Sequence, residues 1–366
     1  MGDLIRLFLK LGFIGFGGPA ATIAMMDDEV VVRRRWFSRE HFLDLVGATN
    51  LIPGPNSTEM AMHIGYEQRG FRGMIVAGTC FILPAALMTG TLGWLYVKYG
   101  ALPEVEPFLR GIKPAVIAII LGALWRLGKT AVKSVSLVPV GLAVAGALLL
   151  GVNEVIALIG GGLLGLMGLY WWRQRLVCAG LLVLGPGLLQ VGSVDYALWK
   201  LGLFFLKVGA VLYGSGYVLI AFLDGDLVQN YGWLTEQQLL DAVAIGQFTP
   251  GPVLTTATFI GVMLGGWTGG LVATVAIFLP SFVFVSILNP LIPRLRKSPL
   301  TAAFLDAINV SAVALMLIVT IRLGISVLTG WQPTLILILA VVAVVRYRLN
   351  AGWIVGGGAA LGLVLG

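Results

Sequence analysis

The feature that most constrains the fold of this chain is an internal duplication. The segment 8–55 returns without a gap at 205–252, which is 197 positions later. A one-residue deletion then shifts the register, so that Gly70 meets Gly266. Both copies carry matched glycine, proline, lysine and tryptophan positions between apolar runs. Long repeats in a strongly apolar chain are a common plan of secondary transporters, so the duplication predicts two related halves around a shared centre.

The composition places these halves in a membrane. Hydrophobic residues make up 58% of the 366 positions and charged residues 11%, whereas soluble domains carry about 25% charged residues. Apolar windows with little or no charge recur along the chain, and they predict an all-α polytopic membrane protein with about 10–13 spans when hairpins are counted. We divide the chain into a first transmembrane repeat at 1–175, an apolar linker and candidate crossing helix at 176–197, and a second transmembrane repeat at 198–366.

Basic residues predict how the two halves are oriented. In the first copy, arginines cluster at 33–39 and at 69–72, as expected of cytoplasmic loops, and the segment between them should enter the membrane and return. The matching stretch of the second copy, 230–266, has no Lys or Arg and carries acidic residues. The span after it leads to a basic cluster at 294–297. The copies therefore read as inverted repeats, an arrangement that places a shared site near the membrane midplane.

Two segments leave the number of crossings open. Residues 4–32 contain a Gly-rich break and form either one broken span or a hairpin of two half-helices. Residues 176–191 then either lie along the membrane surface or cross the membrane. A broken span with a surface linker and a hairpin with a crossing linker both preserve the inversion of the two repeats. The hairpin with a crossing linker is favoured, because it leaves Arg6 inside and uses the apolar linker.

Paired helix breakers predict the position of the site. Proline cannot donate a backbone hydrogen bond and disfavours helix at the preceding residue, so the Pro-Gly-Pro motifs at 53–55 and 250–252 should each end one helix and begin another. Helix starts carry N–H groups without intrahelical partners and a partial positive charge, and both favour anions. The substrate-binding residues predicted at these motifs and at the Gly-rich breaks before them are Gly17, Gly18, Asn50, Pro53, Gly54, Pro55, Asn56, Ser57, Thr58, Gly214, Ser215, Gln247, Pro250, Gly251, Pro252, Thr255 and Thr256.

Two lysines occupy the same repeat position within apolar sequence. Lys10 and Lys207 each lie one to two turns before a Gly-rich break. A lysine at bilayer depth costs at least ~2.5 kcal/mol by insertion scales, and a matched pair beside two helix starts suits a doubly negative substrate. Snorkelling of each lysine to the membrane interface is the alternative explanation. We therefore add Lys10 and Lys207 to the predicted substrate-binding residues.

Acidic residues and one histidine are candidates for a coupled proton. Any of the acids at 27, 29 and 224 is a candidate partner of the lysines. Two further acids lie on the predicted re-entrant helices, where a hydrogen bond that ties down the hairpin explains them equally well. The histidine has phenylalanine at its repeat position, which favours a structural role. The proton-coupling candidates are Glu29, Asp44, Asp241 and His63.

These motifs together resemble the bacterial chromate transporter family. The resemblance lies in Phe16-Gly17-Gly18-Pro19, in the acidic and then Arg-rich run 28–36, and in the turns at 50–55 and 247–252. It covers nearly the whole chain and matches the long, two-domain members. It implies a carrier in the bacterial inner membrane that extrudes chromate, coupled to the proton-motive force or to anion exchange. The second copy departs from the pattern at Ser215-Gly216 and at 229–232, so the halves are expected to contribute unequally.

Other functions find little support in the sequence. Cys80 and Cys178 have no metal-ligand spacing, and the chain has no Walker A, HExxH or GxSxG motif. We therefore expect no enzyme, cofactor, metal or nucleic-acid partner; the expected partners are a small oxyanion and the lipid bilayer, and a homodimer stays open. A carrier or passive channel for sulfate or another oxyanion is the first alternative function. An intramembrane enzyme acting on a phosphorylated lipid is the second.

Overall fold

The computed structural model describes residues 1–15, 18–100, 102, 105–173, 196–214, 216–288, 298–347 and 349–365. All regular structure in these ranges is helical. Gly17, Ser215, residues 176–195 of the predicted linker and the basic cluster 294–297 lie outside the described residues. The α-helices are α1 Gly2–Ile14, α2 Gly18–Asp27, α3 Arg39–Thr49, α4 Asn56–Tyr99, α5 Glu106–Ala131, α6 Val138–Leu149, α7 Glu154–Arg173, α8 Leu198–Val211, α9 Leu219–Phe222, α10 Glu236–Phe248, α11 Thr256–Leu288, α12 Pro299–Val327, α13 Trp331–Val345 and α14 Ala351–Leu365.

The N-terminal segment is a hairpin of two half-helices. The Lys10 ammonium lies 2.6 Å from the Glu29 carboxylate, although 19 residues separate them. In one continuous helix these residues would stand about 28 Å apart, so α2 and the π-helix Asp28–Arg33 that follows it return alongside α1. Of the two arrangements open for residues 4–32, the structure therefore adopts the hairpin. The second copy turns back in the same way, because Lys207 of α8 pairs with an acid in the π-helix Leu223–Asn230.

The first Pro-Gly-Pro motif joins two helices, as predicted. Helix α3 begins after Ser38, whose hydroxyl caps the helix by accepting a hydrogen bond from the His41 amide. Helix α4 begins at Asn56, with Pro55 as the residue before its first turn. In the second half, α10 starts with a capping box at Thr235. A 3₁₀ turn, Val253–Thr255, then leads from the second motif into α11.

Helices α4 and α11 each fold back on themselves at a glycine. The backbone leaves helical geometry at Arg69 and Gly70 in α4, and at Gly265 and Gly266 in α11. The two second glycines have φ of 60° and 61°, in the left-handed region that glycine adopts without steric cost. The arms on either side of each bend approach so closely that a β-carbon at Gly65 would collide with the backbone after the bend. The prediction that residues 40–67 enter and return is consistent with this reversal.

The two halves pack crosswise. Helices α4 and α11 lie against each other at the centre, and α5 packs on α12. The last two helices of each repeat pack on the other repeat: α13 and α14 lie on α5, whereas α6 and α7 lie on α12. Glycines permit these close approaches, as in many membrane proteins, and a β-carbon at Gly111 would collide with the backbone of Gly358. The result is one interlocked body with approximate twofold symmetry.

The helix lengths suit a membrane. Within the described residues, four helical segments are long and apolar enough to cross a bilayer: Asn56–Tyr99, Glu106–Ala131, Val253–Ile287 and Pro299–Val327. Four shorter apolar helical segments are Val135–Leu149, Glu154–Gly168, Trp331–Val345 and Ala351–Leu365. Each group contains two members from each repeat. The prediction of an all-α polytopic membrane protein is confirmed.

Candidate functional site

Each of the two predicted lysines is held by a carboxylate. Lys10 pairs with Glu29 and Lys207 pairs with Asp226, and both acids occupy the same repeat position. The lysine side chains are 48% and 37% exposed, whereas those of Glu29 and Asp226 are 9% and 5% exposed. Each hairpin is therefore closed by a charge-assisted hydrogen bond between a partly exposed cation and a buried anion. The lysine charges are balanced within the protein in this conformation.

The surroundings of these two ion pairs differ. Glu29 also contacts Arg34 at 3.3 Å and Arg33 at 3.7 Å. In the second half, Asn230 stands at the position of Arg33 and Tyr231 at that of Arg34. Asn230 donates a hydrogen bond to Asp226, and the neighbouring Gln229 donates one to Asp224. The departures in the second copy therefore replace the two arginines beside Glu29 with uncharged side chains at the same repeat positions. An unequal contribution of the two halves stays a prediction.

The other two acids proposed as lysine partners bind arginines instead. Asp224 accepts a hydrogen bond of 2.9 Å from Arg322 of α12. Asp27 lies 3.6 Å from Arg39. These contacts link each hairpin to a neighbouring helix, and they leave Glu29 and Asp226 as the partners of the lysines.

The two Pro-Gly-Pro tips each bind the opposite half. The Gly54 amide donates a hydrogen bond of 2.7 Å to the carbonyl oxygen of Leu212, and the Gly251 amide donates one of 3.0 Å to that of Gly15. Gly15 and Leu212 occupy the same repeat position, as do the two tip glycines. Such reciprocal contacts are the signature of a twofold relation. The two tip amides are thus hydrogen-bonded within the protein in this conformation.

A cavity with a mixed polar and apolar lining lies where the first tip meets the second half. Its volume is about 350 Å³, within the range of small-molecule sites. The Asn56 amide donates a hydrogen bond of 2.8 Å to the Asn50 side-chain oxygen at its wall. The ammonium of Lys133 lies 2.7 Å from Asp306 on the opposite side. The polar or glycine positions that line the cavity are Thr49, Asn50, Asn56, Thr130, Lys133, Gly214, Asp306 and Asn309.

Three of the predicted binding residues meet in this cavity, namely Asn50, Asn56 and Gly214. Others are buried in the first tip and in the first turn of α4: Pro53, Pro55, Ser57 and Thr58. The hydroxyls of Thr255 and Thr256 bond to carbonyls of their own turn, at Pro252 and Val253 respectively.

The remaining predicted residues around the second tip lie apart from the cavity. Gln247 accepts a hydrogen bond of 3.2 Å from the Tyr217 hydroxyl. A β-carbon at Gly18 would also come within 4.0 Å of that hydroxyl. Pro250 lines a separate, mainly apolar cavity with Trp353. The predicted residues are therefore divided between the two tips and do not form one cluster.

The remaining proton-coupling candidates have distinct environments. Asp241 of α10 is buried, accepts a hydrogen bond of 2.8 Å from the Tyr96 hydroxyl and lies 3.9 Å from Lys113. Both partners belong to the first half, so Asp241 ties the halves together. His63 is fully buried in α4, and Asp44 is exposed on α3. These placements suit a structural role for Asp241 and do not bring the three candidates together.

Four residues near the tips escaped the sequence reasoning. Lys133, Asp306 and Asn309 come to the cavity from the end of α5 and from α12, through contacts that local pattern does not reveal. Glu59 is fully buried in the first turn of α4, where its carboxylate accepts a hydrogen bond of 3.4 Å from Ser281 of α11. A charged residue within an apolar helix was the signal that could have found Glu59.

Comparison with known proteins identifies the family. The chain matches the chromate transporter family over residues 2–166 and again over residues 199–363. A probable chromate transport protein of Synechococcus elongatus is 34% identical over 318 residues, covering 85% of this chain and 81% of that protein. A chromate transport protein of Cupriavidus metallidurans is 31% identical over 376 aligned positions, covering 99% and 92%. A third, from Pseudomonas aeruginosa, is 32% identical over 337 residues, covering 88% and 80%.

No solved structure matches the chain. Both repeats match the family separately, and the matched segments begin at the same repeat position. The relatives that cover most of the chain are named as transport proteins. The protein belongs to the chromate transporter family, and it is a multi-pass membrane transport protein, not an enzyme.

Proposed function

We propose that the protein is a secondary transporter of a tetrahedral oxyanion and that it exports chromate from the cell, which confers chromate resistance. The names of three relatives that each cover most of the chain support the choice of chromate. The proposed location is the inner membrane of a bacterium. Chromate and sulfate share their shape and double negative charge, so sulfate is the second candidate substrate.

The observation that carries the proposal is the set of polar side chains that line the cavity at the junction of the halves. Asn50 and Asn56 come from the first tip, Gly214 from the Gly-rich break of the second half, and Asn309 from α12. Carboxamides donate to oxyanion oxygens without adding charge. Lys133 supplies one positive charge, and its ammonium forms an ion pair with the Asp306 carboxylate. An anion that enters competes with Asp306 for this ammonium, so binding is reversible, as transport requires.

Alternating access supplies the route in this proposal. The tips of two inverted repeats each close against the opposite half, through the Gly54–Leu212 and Gly251–Gly15 hydrogen bonds. The basic loops of the first copy and the acidic stretch of the second support the inversion. Both tips are closed in this conformation. Opening of one tip and then of the other would expose the site to the two sides of the membrane in turn. The proton-motive force or the gradient of a second anion drives this exchange, and the proposed mode is antiport.

Transport into proteoliposomes tests the proposal. Purified protein is reconstituted, and uptake of radiolabelled chromate and sulfate is followed with and without an imposed pH gradient. A carrier shows counterflow, in which unlabelled anion inside drives uptake of labelled anion. Uptake without counterflow indicates a passive channel, and absence of uptake of both anions contradicts the proposed function.

A further inference from the structure

Glu59 is a buried acid at the contact between the first tip and the second half. It lies in the first turn of α4 and is fully buried. Its carboxyl points back to the tip, since a β-carbon at Gly54 would collide with its Oε1 atom and with the hydroxyl of Ser281. The Gly54 amide is the group that bonds to Leu212 of the other half. Glu59 therefore lies directly behind the hydrogen bond that closes the first tip.

The polar groups near this carboxyl, among the described residues, are two hydroxyl groups and one histidine. Ser281 of α11 donates one long hydrogen bond to Oε1. Among the described residues, the Tyr213 phenol, which follows the end of α8, comes from the other half close enough to interact electrostatically with Glu59. His63 follows one turn later on α4 and is also buried. Among the described residues, Glu59 forms no ion pair with Lys or Arg, and its Oε2 atom has no hydrogen-bond partner.

A carboxylate in this position is costly, because burial removes its hydration and no lysine or arginine of the described residues replaces it. The group is therefore neutral while the tip is closed. Opening the tip at Gly54 admits water to Oε2, and the ionised form then regains its hydration. Closure of the first tip would then take up one proton from water onto the carboxylate, and opening would return that proton to water with the bonding electron pair left on oxygen.

The second tip carries no equivalent acid. Thr255, at the end of the 3₁₀ turn, and Thr256, at the start of α11, occupy the corresponding positions, and Ala85 of α4 stands where Ser281 stands at the first tip. The paired tips are otherwise closely matched in their hydrogen bonds. A single protonation site at one of two matched tips links one direction of the conformational change to pH.

We propose that Glu59 carries the coupling proton of transport. This inference rests on the proposed function, and it assigns the proton to a residue apart from Glu29, Asp44, Asp241 and His63. Its role is to permit or prevent closure of the first tip according to its protonation state. Glu59→Gln keeps the shape of the side chain and imitates the neutral form permanently, so it allows closure without proton uptake.

The test compares the Glu59→Gln variant with the wild type in proteoliposomes, with radiolabelled sulfate or chromate as the transported anion. Glu106→Gln is the matched control, because Glu106 is an exposed acid paired with Arg110. Counterflow is measured without a gradient, and accumulation is measured with an imposed pH gradient. We expect Glu59→Gln to keep counterflow and to lose all accumulation that depends on the pH gradient. Glu106→Gln should behave like the wild type in both assays.

The outcomes separate this inference from the proposed function. Gradient-driven accumulation by Glu59→Gln at the wild-type level overturns the role of Glu59, as does a wild type that exchanges anions without any response to pH. A wild type that transports neither anion contradicts the proposed function itself. If Glu59→Gln loses counterflow too, Glu59→Asp decides: recovery of both activities supports the proton site, and continued loss of gradient-driven accumulation overturns it.

Discussion

The Gly54 amide donates a hydrogen bond of 2.7 Å to the carbonyl oxygen of Leu212, 158 residues further along the chain and in the other repeat. The Gly251 amide repeats this contact with Gly15. In both cases a Pro-Gly-Pro tip reaches the end of a half-helix from the opposite copy. The predicted site elements are thus combined across the halves, each tip with the Gly-rich break of the other copy. This crossed arrangement underlies the predictions that follow.

Alanine at either tip glycine should impair both stability and transport. Gly54 has φ of 141° and Gly251 has φ of 99°, conformations that cost other residues about 1–3 kcal/mol. A β-carbon at Gly54 also collides with Glu59 and Ser281. We expect Gly54→Ala to lower the melting temperature in detergent and to abolish most chromate uptake, with a smaller effect for Gly251→Ala, where the collision is with the Ala85 methyl group.

Gly357→Ala is the matched control for this substitution. Gly357 lies within α14 with open space around it, so alanine there should be tolerated or slightly stabilising. If Gly54→Ala has the melting temperature and the chromate uptake of the wild type, the first tip is not constrained as described.

The Lys10–Glu29 pair should behave as a unit. Lys10→Met leaves the buried Glu29 carboxylate without its closest cation, at an expected cost of about 1–3 kcal/mol; a fully buried pair would cost more, but Lys10 is half exposed. The double variant Lys10→Met/Glu29→Gln removes both charges and should regain stability. A double-mutant cycle on melting temperature and chromate resistance measures this coupling.

The double variant also separates two roles for Lys10. If Lys10 only closes the hairpin, resistance returns together with stability. If its charge acts on the anion, stability returns and resistance stays lost. Full resistance in Lys10→Met alone would remove Lys10 from both roles.

Sequence reasoning found the local parts of this architecture but not their partners. The half-helix hairpin and the break at 53–55 depend on residues close in sequence, whose propensities act locally. The contact between Gly54 and Leu212 depends on packing between the halves, which no local pattern encodes. The position of Lys133 in the cavity was not predicted for the same reason. The role of Asp226 as the partner of Lys207 could have been predicted, because the 197-residue register assigns Asp226 the position of Glu29.

Lys133 should contribute affinity for the anion. Lys133→Met removes the one ammonium that lines the cavity among the described residues, and we expect the KM for chromate to rise about tenfold, equivalent to about 1.4 kcal/mol. Asp306→Asn is the informative counterpart, because it releases Lys133 from its carboxylate partner while keeping the shape of the side chain. Its KM should fall below that of the wild type. An unchanged KM in both variants would place the substrate elsewhere.

The inverted orientation of the repeats can be tested at two matched exposed positions. Glu40 and Gln237 occupy the same repeat position in the first turns of α3 and α10, and both are exposed. In a background with Cys80→Ala and Cys178→Ala, the variants Glu40→Cys and Gln237→Cys are treated in intact cells with a membrane-impermeant maleimide. Because the basic loops of the first copy favour the cytoplasm, we expect Gln237→Cys to react from outside and Glu40→Cys to react only in inverted vesicles. Labelling of both positions from the same side would mean that the twofold axis runs along the membrane normal, and alternating access by exchange between inverted repeats would then be untenable.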